Sequence, residues 1–192
     1  MTDAYLHSAD RKLVLQVRAD LARHEGYREF AYPDPLSPLF KKYKKLAWGF
    51  KPARELLPED TEWSAGAPWT VGYGFTNGTN PDTRMDRIKA DRMLDQLILE
   101  EDGKLRRALP WYADTSFVTK TVLINMAFNL GLKGLLGFRN TLAFIKAGQF
   151  ARAATNLKLS KWHAQVGDRA LELEERMKEQ TIAAHHKAAE RI

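Results

Sequence analysis

The 192-residue chain contains no cysteine, which excludes a disulfide framework, a thiolate metal site and a cysteine nucleophile, and leaves its stability to packing. Long hydrophobic runs are also missing. Met1-Thr2-Asp3-Ala4-Tyr5 has neither the basic flank nor the apolar run of a signal peptide, and no later segment approaches membrane-spanning length. Soluble synthesis in the cytoplasm is expected, so work on a cell wall would require release by another agent. There is no phosphate-cradling glycine loop, nucleophile elbow or complete Ser-His-Asp arrangement. His185 and His186, near Glu190, lack zinc-protease spacing, and adjacent histidines point to different helix faces, so no metal is expected.

What is present is an apolar content of 44%, ample for one domain or two lobes sharing a core. Thirty Lys and Arg against 24 Asp and Glu leave a net charge of +6. That balance favours a polyanionic partner: nucleic acid, an anionic membrane surface or the acidic polymers of a bacterial envelope.

Leu13, Val17 and Leu21 fall four apart, which predicts a first helix ending near Glu25, with Gly26 as its stop. Phe30-Ala31-Tyr32 reads as a short strand, and Pro33-Asp34-Pro35 as a rigid exposed turn. Residues 36–68 read as an insertion without a strong period, carrying Phe40, Lys41, Lys42, Tyr43, Lys44, Lys45, Trp48 and Phe50. From Trp69 to Thr76 strict alternation predicts a strand with Val71, Tyr73 and Phe75 on one face and Thr70, Gly72, Gly74 and Thr76 on the other. Everything after Thr83 reads helical. It begins with an amphipathic segment through Ile88, Met93, Leu94 and Leu97 that could connect two lobes. Phe117 to Leu130 should be a buried central helix, followed by shorter helices broken at Gly131, Gly137 and Gly148. A last helix from Asp168 carries Glu172, Glu174 and Glu175 early and Lys187 and Arg191 late, matching the helix dipole.

Glycoside hydrolysis needs a protonated carboxyl beside the leaving oxygen and a second, ionised carboxylate. Glu25, at a helix C-terminus and expected to be partly buried, suits the acid, because both influences disfavour its charged form. Asp34 suits the carboxylate. The Thr70 hydroxyl could hold a catalytic water, and the small face bearing Gly72 and Gly74 would give a sugar close access to backbone. Taken alone, a glutamate at a helix end is more often a solvated charge.

His24-Glu25-Gly26-Tyr27-Arg28, Tyr32-Pro33-Asp34 and Thr70-Val71-Gly72-Tyr73-Gly74 together resemble the active-site signature of the T-even phage lysozymes, glycoside hydrolase family 24. Ile124–Gly131, Gly137–Thr141, Ser160-Lys161-Trp162 and Arg169-Ala170 resemble that family's helical lobe. The resemblance implies an α+β, predominantly helical fold in a single catalytic domain, residues 1–192. Its small lobe, about 25–82, would carry the 36–68 insertion. A long helix would join it to a helical lobe, about 83–192, that includes the N-terminal helix. It also implies a monomeric muramidase of the endolysin type, hydrolysing the β-1,4 bond between N-acetylmuramic acid and N-acetylglucosamine with inversion, for host cell lysis. Glu25 would be the acid, with Asp34 and Thr70 positioning water.

Candidate substrate contacts are Gly72, Gly74, Asn125, Phe128, Asn129, Trp162 and Arg169. The plainer reading of Trp162, Phe138 and Met126 is core, and of Asn125, Asn129 and Arg169 an internal hydrogen bond or salt bridge. Two features depart from the family. The insertion separates Asp34 from Thr70, which leaves Glu55, Glu59, Asp60 or Glu62 as alternative acids, and Phe75 stands where a histidine is common. Peptidoglycan is the expected partner and nucleic acid is not. Lys41, Lys42, Lys44 and Lys45 could contact an anionic outer-membrane surface. A lytic transglycosylase and a basic binding module are the alternatives.

Overall fold

In the computed structural model the backbone is described for residues 8–189 and the side chains for residues 10–181. His185, His186 and Lys187 therefore have no described side chains, and Glu190 and Arg191 lie outside the described residues. The fold is α+β and mostly helical. Two compact units share it: Arg18–Gln96 forms one, and the chain up to Val17 together with Leu97 onward forms the other.

The helix α1, Ser8–Glu25, buries Leu13, Val14, Val17 and Leu21 along one face, as the fourfold spacing predicts. At its end Gly26 takes φ +68°, and its N–H donates to the Ala22 carbonyl at 3.2 Å. That is the left-handed cap in which glycine avoids the penalty of a side chain.

Strand β1 (Arg28–Pro33) pairs antiparallel with β2 (Trp69–Gly72). The expected strand to Thr76 is cut short. Val71 and Phe75 exchange backbone hydrogen bonds, both 2.9 Å, around a turn in which Gly72 and Gly74 have φ +67° and +98°. Alternation over eight residues was therefore the pattern of a folded-back hairpin. Val71 and Tyr73 are buried as expected, but Gly72 is buried too.

Residues 36–68 are more organised than their irregular sequence suggests. They form α2 (Pro38–Lys42), α3 (Ala53–Leu56) and a 3-10 turn at Trp63–Gly66. Leu39, Trp48, Ala53 and Leu57 make a hydrophobic cluster with Ala31 and Trp69 of the strands, and Phe40, Tyr43, Leu46 and Trp63 pack against it. Trp48 is 6% exposed and lies 6.3 Å, edge to face, from Trp69. Of the aromatics Phe40, Tyr43, Trp48 and Phe50, only Phe50 is exposed, at 63%.

Helix α4 (Arg87–Ala108) begins in the first unit and ends in the second. Its buried apolar residues are Ala90, Leu94, Ile98 and Leu105. Ile88 was expected on this face but is 65% exposed, because it precedes the run at i, i+4 that starts at Ala90. In the second unit α5 (Phe117–Leu136) is buried over most of Thr119–Ala127. Gly131, with the non-helical angles φ 69° and ψ 159°, breaks it into two helical segments joined at a kink, as expected. The helices α6 (Arg139–Lys146), α7 (Phe150–Lys158), α8 (Lys161–Val166) and α9 (Asp168–Ala189) follow. No single helix among the described residues is long and apolar enough to cross a membrane.

Because Trp48 belongs to a core, Trp48→Ala should destabilise the protein by about 3–5 kcal/mol, the usual cost of truncating a buried aromatic. Urea unfolding followed by far-UV circular dichroism measures this. A change under about 0.5 kcal/mol, as for an exposed loop residue, would contradict the packing.

Candidate active site

The register of the two strands assembles the candidate residues of the first unit. Tyr32 lies opposite Thr70, and Pro33 opposite Trp69, so Asp34 follows directly on the paired end. On its other edge β1 is held by residues 83–85: Ala31 N–H donates to the Thr83 carbonyl at 3.0 Å, and Met85 N–H to the Glu29 carbonyl at 2.9 Å.

Asp34 is half-buried. Its Oδ1 accepts the Leu36 N–H at 2.6 Å, and its carbonyl accepts the Ser37 N–H at 2.9 Å. Asp at the first position of a turn, with Pro at the second, is the pattern that produces this geometry. The Asp34 N–H is shared by the carbonyls of Gly66, at 3.1 Å, and Pro68, at 3.0 Å. Both the first and the last residues of the 36–68 segment hydrogen-bond to Asp34. Thr70 is also half-buried, and among the described residues no hydrogen bond occupies its hydroxyl.

Glu25 is the last residue of α1 and is exposed, not partly buried as expected, since the helix ends there and Gly26 turns the chain. Its charge reaches Tyr32. Burial raises the pKa of that phenol, Arg28 lowers it, and Glu25 raises it. Tyr32 thus pairs with Thr70 across the strands and lies within reach of the Glu25 charge. The Arg28 guanidinium stacks on Phe50 at 4.3 Å, and its stem lies against Gly49, where a Cβ would fall 2.6 Å from Arg28 Cδ.

The hairpin carrying Thr70 is anchored at its tip. Tyr73 Oη donates to Asp91 Oδ1 at 2.7 Å, Tyr27 Oη donates to the Met85 carbonyl at 2.7 Å, and Arg87 stacks on both rings. Phe75 covers Gly72, where a Cβ would sit 2.8 Å from the ring and 3.0 Å from Met85 Sδ. Gly72 is therefore required by its backbone angle and by that ring, and offers a sugar no open backbone. Gly74 is exposed, with open space at its Cβ position. Glu55, Glu59, Asp60 and Glu62 are all exposed, and Glu62 accepts the Ser64 hydroxyl at 3.1 Å.

The remaining candidates belong to the second unit. Asn125 is fully buried and its Oδ1 accepts Arg169 Nε–H at 2.7 Å; Arg169 is 6% exposed. Trp162, also 6% exposed, donates Nε1–H to Asn129 Oδ1 at 2.6 Å and meets Phe138 edge-on at 6.0 Å. These polar and aromatic pairs bind α5 to α8 and α9. The internal reading thus replaces the substrate-contact reading for Asn125, Trp162 and Arg169, because their polar atoms are turned inward. Phe128 is half-buried and Asn129 exposed. An open groove in the same unit is lined by Gly134, Gly137, Phe138, Arg139, Asn140, Asn156, Leu159 and Ser160. Among the described residues no cluster of three or more His, Asp or Glu could hold a metal.

Sequence reasoning missed Asp91 and the carbonyls of Gly66 and Pro68. Nothing in the local sequence marks a carbonyl as an acceptor for a residue more than thirty positions away. The Asp-Pro-Leu-Ser turn, in contrast, was legible.

A family model described as phage lysozyme matches residues 55–180, well over half of the chain. The match includes Thr70 and residues 97–180 of the helical unit, and begins after Glu25 and Asp34.

The Tyr73 anchor has a consequence for pH dependence. Burial and the hydrogen bond to Asp91 push the Tyr73 phenol from 10.0 up to about 12. The folded state therefore keeps this proton when an unfolded tyrosine has lost it. The resulting stabilisation is complete below pH 10 and disappears as pH rises towards 12. Stability should fall less steeply across that window in Tyr73→Phe than in the parent, and absorbance at 295 nm should show one late-titrating tyrosine fewer. Identical titrations would contradict the anchor.

Proposed function

The chain belongs to the phage lysozyme family, glycoside hydrolases that degrade peptidoglycan, and from that premise we propose that it hydrolyses the β-1,4 bond between N-acetylmuramic acid and N-acetylglucosamine with inversion. The observation that supports this reading is the strand register, in which Tyr32 lies opposite Thr70 and Asp34 follows at the paired end, with the charge of Glu25 felt at Tyr32. Glu25 donates a proton to the glycosidic oxygen as the bond to the anomeric carbon breaks. A water held by Asp34 and Thr70 attacks that carbon from the opposite face and passes its proton to Asp34. One Asp34 oxygen accepts the Leu36 N–H, which leaves the other for such a water. Glu25, exposed in the free protein, would be covered by the bound strand. Gly74, Phe128 and Asn129 remain the exposed or half-exposed candidates for sugar contact.

A lytic transglycosylase would use one acid and no water, and would have no task for Asp34 and Thr70. Mass spectrometry of muropeptides released from purified sacculi separates the two. Hydrolysis leaves reducing ends heavier by one water, whereas 1,6-anhydro ends would refute the mechanism. In the same assay Glu25→Gln should lose about 10²–10⁴-fold in rate, the usual worth of general acid catalysis, with the fold unchanged. Retention of more than about a tenth of the parent rate would remove Glu25 from its role.

The reading extends to the site of action: the periplasmic cell wall of the host, reached after release from the cytoplasm, in lysis by a phage-type endolysin. Lys41, Lys42, Lys44 and Lys45 are all exposed, and none is in an ion pair among the described residues. They would attract the anionic phosphates of an outer-membrane surface. Changing all four to Gln should weaken binding to outer-membrane vesicles, most at low salt, and leave cleavage of isolated fragments within about twofold. Equal binding by both proteins across a salt titration would remove this role.

A further inference from the structure

Residues 36–68 leave the strands at Asp34 and return to them at Trp69, and both ends close on the same carboxylate residue. On the outgoing side the Leu36 N–H fixes Asp34 Oδ1 and the Ser37 N–H fixes the Asp34 carbonyl. Ser37 then caps α2, its Oγ accepting the Phe40 N–H at 3.1 Å. On the returning side the carbonyls of Gly66 and Pro68 share the Asp34 N–H.

The returning backbone can come this close because residue 66 has no side chain. A Cβ on Gly66 would lie 2.7 Å from Trp69 Cζ2, 2.9 Å from Leu39 Cδ2 and 3.0 Å from Pro33 Cβ. Its three neighbours are a residue of β2, a residue of α2 and the last residue of β1. All three are held in place: Leu39 and Trp69 belong to the buried cluster, and Trp69 Nε1–H donates to the Trp63 carbonyl at 3.2 Å. Gly66 has no positive φ, so steric room, rather than backbone conformation, is what glycine supplies here.

We propose that segment 36–68 is a brace that sets Asp34 in register with Thr70, and that Gly66 is a positioning residue for the hydrolytic step. The inference rests on Asp34 being the carboxylate that holds the attacking water. Such a group must stay within about 0.5 Å of its productive position, and a displacement of about 1 Å can cost on the order of 10²-fold in rate. A Cβ at residue 66 is accommodated by moving the 66–68 backbone, to which Asp34 is bonded directly, or by moving Trp69, Leu39 and Pro33, the last of which adjoins Asp34. The effect belongs to turnover, because the displaced group holds the water rather than the glycan.

The test compares the parent, Gly66→Ala, Asp34→Asn and the double variant on soluble peptidoglycan fragments, with products counted by mass spectrometry below the melting temperature of each protein. Gly66→Ala should lower kcat by about 10–100-fold with KM within about twofold, and should add nothing in the Asp34→Asn background, since its effect passes through Asp34. Leu39→Ala removes a wall of the same contact without creating overlap. It should show the same pattern, smaller in size, and serves if Gly66→Ala does not fold. Leu157→Ala, in the core of the helical unit and outside the brace, should lower the melting temperature and leave kcat within about twofold. Unchanged kcat in both Gly66→Ala and Leu39→Ala overturns the brace. So does a loss that multiplies fully with Asp34→Asn, or an equal loss of kcat in Leu157→Ala. Parent-level turnover by Asp34→Asn would instead overturn the assignment of Asp34 itself, a result that the single variants at 66 and 39 cannot produce.

Discussion

The pairing of Tyr32 with Thr70 is the contact on which the candidate site depends. Side chains alternate across a strand, so a slip of one residue between β1 and β2 would turn Thr70 to the opposite face and move Asp34 away from it. A two-stranded sheet does not protect itself against such a slip, being marginal in water without further packing. Here the register is secured from three directions. Residues 83–85 bond to the free edge of β1, the cluster around Trp48 and Trp69 lies beneath it, and the Tyr73–Asp91 hydrogen bond ties the hairpin to α4.

These supports account for much of the chain that surrounds Asp34 and Thr70. Arg54, which stacks on Trp63, forms an ion pair with Asp82, linking the insertion to the loop that precedes α4. Both side chains are over half exposed, so the pair contributes little stability by itself. The apolar cluster dominates, because burying a tryptophan removes far more apolar surface from water than an exposed ion pair recovers in Coulomb energy. The segment between Asp34 and Thr70 is therefore part of the structural frame of the site.

The helical unit follows a different logic. Its polar residues are spent inward: Arg169 on Asn125, Trp162 on Asn129, His163 and Lys178 on the buried Glu174, and Tyr112 on Asp102. Each partnership satisfies a group that would be costly to bury alone, and together they join helices that are otherwise connected only by short turns. The residues that look most functional by type in this half of the chain are thereby occupied in packing.

Periodicity and punctuation made the helices legible in the sequence: the face of α1 at Leu13, Val17 and Leu21, its stop at Gly26, the apolar stretch of α5 and the start of α9 at Asp168. Each is a local property, decided by residues within a turn or two of one another. The turn at Asp34 and the motifs around Glu25 and Thr70 were legible for the same reason. Tertiary structure alone decided the rest. Whether Gly72 faces a ligand or a phenylalanine, whether Asn125 is exposed or bonded to Arg169, and whether residues 36–68 hang free or close on Asp34 all depend on groups far apart in the chain. Their meeting is governed by burial and hydrogen-bond satisfaction across the fold, and no short window of sequence contains both partners.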